Sequence, residues 1–497
     1  MNKIMKLLLI VFLSGIFLNC SDEDRPTREG GNNNSAGSIK VKEGMNLVGM
    51  VLDGNTPIEG VVVSDGYTVT KTDEDGIYQM SANRDAKFVF LSVPADCEIP
   101  VGANNIPKIY KTIGVIKQGD VLRRDFSLKR TQKIENFTLL ALADVQIGNS
   151  TDLNLLKVEV PKIKSYIDSK ITTPVYGISL GDLVWDNMPY LQQYAEETGL
   201  IGVPTFQVIG NHDHNKAVLS DDAGSAVDFE ANFGPTYYSY NIGDCHFVVL
   251  DDVLYTGDKN YTGNITQNQL DWLKKDLEHV SKDKLIILGV HIPTKRRNSS
   301  GAVSNNQDLY TILDGYKVRI LSGHSHNNYT TTISPDIEEN TMGSVMGAFW
   351  SGDLCNDGSP RGYTIYEIEG NEIKNRYYKG TSHDRDYQMY LYNIGEAVTV
   401  SRQDGLIFNL FNWHTNWTVK VYEDGVYTTT LTNNVKELDR RAYDFMDGPS
   451  KPAYRPSAEP ERNNDHMFYY KPSASWSTVK VEATDPYGNT YIQSINR

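Results

Sequence analysis

Six apolar, strand-like runs in the middle of the sequence each end in polar residues that are able to bind metal ions or transfer protons. The carboxyl ends of strands in an open α/β sheet lie along one edge, where the ligands of such folds bind. Side chains far apart in the sequence are therefore predicted to converge on a single rim. The residues at the six strand ends are Asp144 with Gln146, Asp182, Asn211-His212-Asp213, Asp251-Asp252, His291, and His324 with His326.

The order of these residues is more informative than any one of them. A strand that ends in Asp is often only a loop cap, and a single His is more often structural than a ligand. The ordered series D-x-Q, G-D, G-N-H-D, H and G-H-x-H resembles the calcineurin-like metallophosphoesterase superfamily. Residues 233–240 and 357–363 are similar to segments of a secreted bacterial subfamily, in which a β-rich domain lies on each side of the phosphoesterase.

This resemblance implies two divalent metal ions, and imidazole combined with carboxylate suits Mn, Fe or Zn. Two such ions bind one phosphate and lower the pKa of a water molecule until it is hydroxide near neutral pH. The family places its general acid at His212, and Asp213 is a candidate to orient that imidazole. The implied ligands are Asp144, Gln146, Asp182 and His326 for one ion, and Asp182, Asn211, His291 and His324 for the other.

Two departures from the family pattern leave alternatives open. Gln146 stands where the family usually has His, and a neutral amide oxygen is a weaker ligand than imidazole. The second acidic residue of the G-D motif is displaced by one position, because Trp185 occupies its place and Asp186 follows. Either Asp186 reaches His212 by a different turn, or that role is unfilled.

Two functions of different classes are consistent with these features. The first is hydrolysis of phosphate monoesters or diesters by a dinuclear-metal mechanism outside the cytoplasm. The alternative is a surface lipoprotein that binds glycans or cell-wall polymers and has a degenerate metal site, which the Gln146 departure supports. The expected substrate of the enzyme is a small-molecule or glycan phosphate ester.

Changes in pattern along the chain predict its organisation. We expect a signal peptide over residues 1–20, a Gly-, Asn- and Ser-rich tether over 21–43 and an N-terminal β-sandwich over 44–129. An α/β domain is expected over 130–372, which the family resemblance implies is a four-layer αββα phosphoesterase core, and a C-terminal β-rich domain is expected over 373–497. One helix is well marked, because Thr266 and Gln269 have the spacing of a capping box and Leu270, Leu273 and Leu277 follow on one face.

The amino terminus predicts export and lipid anchoring. A basic start precedes an apolar stretch from Leu7 to Leu18, which is too short for a membrane span. Cys20 follows at the position where a lipoprotein signal has its acylated cysteine. The alternative is an ordinary cleaved signal in which Cys20 has no role. We therefore expect a protein held at the outer membrane or cell surface by its lipid.

The formal net charge of −15 argues against a nucleic-acid partner, because phosphate backbones are bound by basic surfaces. If Cys20 carries lipid, three scattered cysteines remain, with no spacing typical of a disulfide framework or a zinc finger. A monomer is expected.

Overall fold

The computed structural model describes residues 39–218, 221–296, 302–348, 352–448 and 458–497. Cys20 and the whole predicted signal peptide lie outside these ranges, as does most of the predicted tether. Among the described helices, none is both long enough and apolar enough to span a bilayer.

The N-terminal part consists of short strands in two small sheets, as β-branched runs separated by turn residues favour. One sheet has the order β2-β1-β5, with β8 and β9 also paired to β1, and the other has the order β4-β3-β6-β7. Val51, Val63 and Phe90 of these sheets share one hydrophobic cluster. The strands are β1 (Leu47–Asp53), β2 (Thr56–Pro57), β3 (Val62–Ser64), β4 (Val69–Lys71), β5 (Ile77–Met80), β6 (Phe88–Ser92), β7 (Tyr110–Thr112), β8 (Leu122–Arg123) and β9 (Phe126–Ser127).

The middle of the chain alternates strands and helices. Its strands are β10 (Asn136–Leu142), β11 (Val175–Leu180), β12 (Thr205–Val208), β13 (Tyr238–Ile242), β14 (Cys245–Val249), β15 (Val253–Gly257), β16 (Asn260–Gly263), β17 (Leu285–Gly289), β18 (Lys317–Ser322), β19 (Tyr329–Thr332), β20 (Ile337–Thr341), β21 (Gly362–Glu369) and β22 (Glu372–Gly380). Its helices are α1 (Ser150–Lys170), α2 (Tyr190–Gly199), α3 (Asp222–Ser225), α4 (Val227–Phe233), α5 (Gln267–Leu277) and α6 (Asn306–Leu313).

Two sheets make up this core, with strand orders β12-β11-β10-β21-β22 and β13-β14-β17-β18-β20-β19. The first sheet is covered on both faces. Leu139 of β10 belongs to the hydrophobic cluster that contains Phe247 of β14, whereas its neighbour Leu140 packs in a second cluster with Leu156 of α1 and Leu191 of α2. Because alternate residues of a strand point to opposite faces, this sheet lies between the second sheet and the two helices.

The second sheet is covered in the same way. Phe247 contacts Phe137 of the first sheet, with ring centroids 6.1 Å apart. The adjacent His246 points to the other face, where its Nε2 lies 2.8 Å from Asp276 Oδ2 of α5. The order of layers is therefore helix, sheet, sheet, helix, which confirms the predicted αββα core.

The C-terminal part returns to antiparallel strands, and the predicted β-rich flank is confirmed. Its sheets have the orders β23-β24-β27 and β26-β25-β28-β29. The predicted domain boundary after residue 372 falls at the start of β22, which is a strand of the first core sheet. The elements are β23 (Met389–Tyr392), β24 (Leu406–Leu410), β25 (Thr418–Glu423), β26 (Val426–Leu431), α7 (Arg440–Met446), β27 (Met467–Tyr470), β28 (Thr478–Thr484) and β29 (Thr490–Asn496).

Helix α5 occurs where its sequence pattern predicts it, but its predicted capping box is replaced by a longer-range contact. Thr266 is the N-cap residue and makes no side-chain capping hydrogen bond. The Gln269 amide instead pairs with the backbone of Asp251, accepting from its N–H at 2.9 Å and donating to its carbonyl at 2.8 Å. Gln269 thus joins α5 to the end of β14.

Candidate metal centre

The predicted rim forms where the carboxyl ends of the two core sheets meet. β10, β11 and β12 run parallel, and so do β14, β17 and β18, so that in each set the loops after the strands emerge at one edge. The two edges are joined at His291, whose Nδ1 lies 2.8 Å from the carbonyl oxygen of Leu180 at the end of β11. This hydrogen bond brings a ligand from the second sheet next to Asp182 of the first.

The backbone turns sharply at most of the predicted ligands. The left-handed region is uncommon outside Gly and costs free energy, so it persists where the surrounding structure imposes it. Such turns follow the strands directly and direct successive polar side chains into the rim. At the rim, the residues with φ between 51° and 65° are the predicted ligands Asp144, Gln146, Asp182, His324 and His326, together with Asp186.

The glycines of the G-D and G-N-H-D motifs allow the loops to approach one another. A Cβ atom on Gly210 would lie 2.0 Å from the backbone nitrogen of Asp182, and one on Gly181 would lie 2.6 Å from His291 Nδ1. Gly181 also has a φ of 81°. Any side chain at either position would displace a predicted ligand.

Polar atoms from three other loops converge on His291 Nε2. This nitrogen lies 3.0 Å from Asn211 Oδ1, 3.2 Å from Asp182 Oδ1 and 3.2 Å from His324 Nδ1. The other ring nitrogen of His291 already donates its proton to Leu180, so a neutral ring directs a lone pair at these oxygens. Buried acceptors that face one another require a cation or a proton between them, and this donor set fits a divalent metal ion.

A second group of predicted ligands lies beside the first. Asp144 Oδ1 is 3.3 Å from His326 Nε2, and both carboxylate oxygens of Asp144 accept from the backbone N–H of His324 at 3.0 Å. Gln146 Nε2 donates to Asp182 Oδ2 at 2.9 Å, on the side of that carboxylate away from His291. Asp182 therefore contacts a member of each predicted ligand set, His291 through Oδ1 and Gln146 through Oδ2.

His212 is held at the edge of this centre by three contacts. Its backbone N–H donates to Asp182 Oδ1 at 2.9 Å, and its ring stacks on Trp185 with centroids 3.7 Å apart. Its Nδ1 lies 2.7 Å from Asp186 Oδ1. Of the two alternatives left open by the displaced acidic residue, the structure shows the first, because the left-handed turn at Asp186 brings its carboxylate to His212.

The expectation that Asp213 orients His212 is corrected by the same geometry. The two carboxylate oxygens of Asp213 accept from the backbone N–H groups of Val184 and Gly210, at 3.0 and 2.8 Å. Burial raises the pKa of Asp213, and the Asp182 carboxylate raises it further. Asp213 therefore ties together the loops after β11 and β12, and Asp186 is the partner of the His212 imidazole.

The sequence analysis assigned no role to two further residues of the site. Lys216 Nζ lies 2.5 Å from Asp186 Oδ1 and 3.2 Å from His212 Nδ1, and no motif pointed to this lysine. Asp252 Oδ1 accepts from the backbone N–H groups of His291 and Ile292, both at 3.1 Å. Its position directly after β14 was the signal that would have assigned it this supporting role.

The pKa shifts at the centre arise mainly from one pair of residues, His291 and Asp182. Burial lowers the pKa of His291, but the Asp182 carboxylate outweighs it and raises the pKa to about 10. Burial raises the pKa of Asp182, but His291 and His212 outweigh it and hold that pKa well below its usual value. Burial, together with the charge on His291, lowers the pKa of His324. The Asp182 carboxylate thus favours a positive charge at the position of His291.

This pair makes metal uptake dependent on pH. A metal ion competes with a proton for His291, because the Asp182 carboxylate raises the pKa of that imidazole to about 10. We expect the association constant for Mn²⁺ to rise about tenfold for each pH unit between about pH 6 and pH 8. Competition with a fluorescent chelator at several pH values measures this slope. A constant that does not change with pH would contradict the His291–Asp182 assignment.

Comparisons with known proteins give the following likenesses. The chain matches the family model for the N terminal of calcineurin-like phosphoesterase over residues 45–131, and the model for the C terminal of calcineurin-like phosphoesterase over residues 339–491. The predicted metal ligands lie between these two segments. No curated protein matches the chain significantly.

Three solved structures illustrate the structural likenesses. A dimetal phosphatase from Danio rerio is 15% identical, with 49% of this chain and 95% of that chain covered and a TM-score of 0.35. Purple acid phosphatase PPD1 from yellow lupin (Lupinus luteus) seeds is 13% identical, with 65% and 67% covered and a TM-score of 0.37. Calcineurin-like phosphoesterase YfkN from Bacillus subtilis is 13% identical, with 51% and 93% covered and a TM-score of 0.29. With TM-scores this low, these structures do not define the function of the chain.

Proposed function

We propose that this chain, a member of the calcineurin-like metallophosphoesterase superfamily and a hydrolase of phosphate ester bonds, cleaves phosphate monoesters or diesters outside the cytoplasm with two divalent metal ions. The observation that carries the proposal is the convergence of Asp182, Asn211 and His324 on His291 Nε2, within 3.0 to 3.2 Å. These atoms come from four separate loops and are buried or nearly so. A cation among them accounts for this arrangement. Without one, the oxygen atoms of Asn211 and Asp182 would face the lone pair of a neutral His291 ring.

The residues of the centre divide into ligands and a proton donor. When Mn, Fe or Zn ions are held at the centre, they coordinate and polarise the phosphate and lower the pKa of a water molecule. His212 donates the proton that the leaving alcohol needs, and its Nε2 is available for this because Nδ1 faces Asp186. The proposed ligands of one ion are Asp144, Gln146, Asp182 and His326, and those of the other are Asp182, Asn211, His291 and His324.

The proposed setting of this reaction is the outer membrane or the cell surface. The basic start, the apolar stretch from Leu7 to Leu18 and Cys20 support an exported protein with a lipid anchor. A net charge of −15 supports a small-molecule or glycan phosphate ester as substrate rather than a nucleic acid. We propose that the enzyme works as a monomer.

One observation favours a second candidate function, a surface lipoprotein that binds glycans or cell-wall polymers through a degenerate metal site. Gln146 Nε2 donates to Asp182 Oδ2 at 2.9 Å, so the amide nitrogen faces a carboxylate that should be a ligand. A side chain that donates in this position supports a weakened first site. The complete set around His291 supports the enzyme.

Metal removal distinguishes the two functions. We expect the purified protein to hydrolyse nitrophenyl phosphate or bis-nitrophenyl phosphate with Mn²⁺, to stop after chelation, and to recover when Mn²⁺ is returned. Asn211→Ala should remove this turnover, because it deletes the oxygen 3.0 Å from His291 Nε2. No turnover of either ester with Mn²⁺, Fe²⁺ or Zn²⁺ would favour the binding protein.

A further inference from the structure

Residues 323–328 carry the last two predicted ligands, and we call them the metal loop. Both ligands have left-handed backbone, with φ values of 65° at His324 and 52° at His326. Strained backbone of this kind persists only when neighbouring groups impose it. Asp144 accepts from the backbone N–H of His324, and residues 355–359, which we call the clamp loop, contact the part of the metal loop that follows His324.

The clamp loop binds the metal loop through three hydrogen bonds. Asp357 Oδ2 accepts from the backbone N–H of Asn328 at 2.6 Å, and Ser359 Oγ accepts from the Asn328 side-chain amide at 2.7 Å. The backbone N–H of Asn356 donates to the carbonyl oxygen of His326 at 3.2 Å. Asp357 and Ser359 are completely buried. Water therefore cannot substitute for these bonds, and the path of the metal loop after His326 depends on where Asp357 lies.

The position of Asp357 is in turn set by the C-terminal domain. Asn409 Nδ2 and Asn464 Nδ2 donate to its carbonyl oxygen at 2.7 and 2.9 Å. His466 Nε2 lies 3.3 Å from its Oδ2. Arg441 Nη2 donates to the carbonyl of the next residue, Gly358, at 2.8 Å. Four side chains of the C-terminal domain thus converge on two consecutive residues of the clamp loop.

His466 lies between Asn409 and Asp357. Asn409 Nδ2 donates to the carbonyl oxygen of Asp357 and also to Asp439 Oδ2 at 2.7 Å, so Asn409 Oδ1 is the atom that faces His466 Nδ1 at 2.6 Å. The other ring nitrogen of His466 lies 3.3 Å from Asp357 Oδ2. His466 and Asp357 are both fully buried, so this contact joins the C-terminal domain to the clamp loop away from solvent.

A second link reaches the metal loop directly. Glu461 Oε2 accepts from the side-chain amide of Asn327 at 2.7 Å, and the backbone N–H of Glu461 donates to the carbonyl of Asn356 at 2.9 Å. Asn327 is the residue that follows His326. The metal loop is thus contacted by the C-terminal domain both through the clamp loop and by a side chain of that domain itself.

We infer that the C-terminal domain is a positioning module for the metal centre, in which His466, Asn464 and Asn409 hold Asp357 and thereby fix the metal loop that carries His324 and His326. This inference rests on the proposed function, because it takes those two histidines as ligands. His466 and Asp357 are positioning residues, since they act on the metal through the loop. This positioning role accounts for the buried polar contacts between the two domains. A β-domain that served only as a flank would not need them.

Mn²⁺ titration of the chelator-stripped full-length chain tests the inference without relying on catalysis. We expect His466→Ala to weaken Mn²⁺ binding by about 10- to 100-fold, the range typical of groups that orient metal ligands. Asn464→Ala, which removes one hydrogen bond to Asp357 and one from the backbone N–H of His466, should weaken it by a smaller factor. Turnover of either variant should return toward the wild-type kcat when Mn²⁺ is raised to saturation, which a damaged fold would not allow.

Asp485→Ala is the matched control. Asp485 is buried in the turn between β28 and β29, and its hydrogen-bond partners there are Tyr487, Asn489 and Tyr491 of the same hairpin. The control should lower the thermal stability of the domain but leave Mn²⁺ affinity unchanged. Wild-type affinity in both His466→Ala and Asn464→Ala, or an equal loss in the control, overturns the inference. A wild-type chain that binds Mn²⁺ but cleaves no phosphate ester overturns only the proposed function, and one that binds no Mn²⁺ overturns both.

Discussion

Replacement of Asp182 by Asn should remove bound metal and reduce kcat by about a thousandfold or more. The substitution keeps the size of the side chain but removes the charge that faces His291 Nε2 at 3.2 Å and the Gln146 amide at 2.9 Å. Metal ions contribute several kcal/mol to stabilising charge in the transition state, and about 1.4 kcal/mol corresponds to a factor of ten in rate. Because Asp182 contacts a member of each predicted ligand set, its loss should affect both ions. Metal content by mass spectrometry and kcat with nitrophenyl phosphate measure the two effects.

Asp276→Asn is the appropriate control for this substitution. Asp276 is also a buried carboxylate that pairs with a histidine, because its Oδ2 lies 2.8 Å from His246 Nε2, but the pair lies between β14 and α5. This variant should be less stable than the wild type while retaining its metal and its kcat per folded molecule. If Asp182→Asn retained two metal ions and normal turnover, the assignment of Asp182 as the shared ligand would be wrong.

Replacement of His212 by Asn should reduce kcat in a way that depends on the leaving group. General acid catalysis typically contributes about 10²- to 10⁴-fold, and its contribution is greatest when the leaving alcohol is a poor one. We therefore expect a loss of this size with an alkyl phosphate and a much smaller loss with nitrophenyl phosphate, whose leaving group departs without a proton. Mn²⁺ affinity should be nearly unchanged, because His212 is not among the proposed ligands.

Asp186→Asn provides the comparison for His212. Asp186 contacts His212 Nδ1 at 2.7 Å and should act only through that ring, so its loss should be smaller but show the same dependence on the leaving group. The parallel substitution Asp213→Asn should not show this dependence, because Asp213 binds backbone amides of Val184 and Gly210. Equal losses with alkyl and nitrophenyl esters in His212→Asn would exclude His212 as the acid.

The order of the strand-like runs and their polar ends predicted the core well, because each of these signals lies within a short stretch of sequence. Whether a strand ends in Asp or His can be read from a short window, and parallel strands bring such ends to one edge whatever the details of packing. The series of polar strand ends therefore indicated both the α/β core and a centre that includes Asp182 and His291. The periodicity of α5 predicted that helix for the same reason.

Which of several nearby polar groups forms each hydrogen bond was decided only by the tertiary structure. Asp186 and Asp213 are equally plausible partners of His212 in the sequence, and the choice follows from a left-handed turn at one and two backbone amides beside the other. Gln269 pairs with the backbone of Asp251 at 2.8 and 2.9 Å, and its contact with the N-cap Thr266 Oγ1 is longer, at 3.3 Å. The pairing of His466 with Asp357 spans 109 residues. Composition and spacing establish which groups exist and in what order, but hydrogen bonds act over about 3 Å, so only the packed fold determines which of them meet.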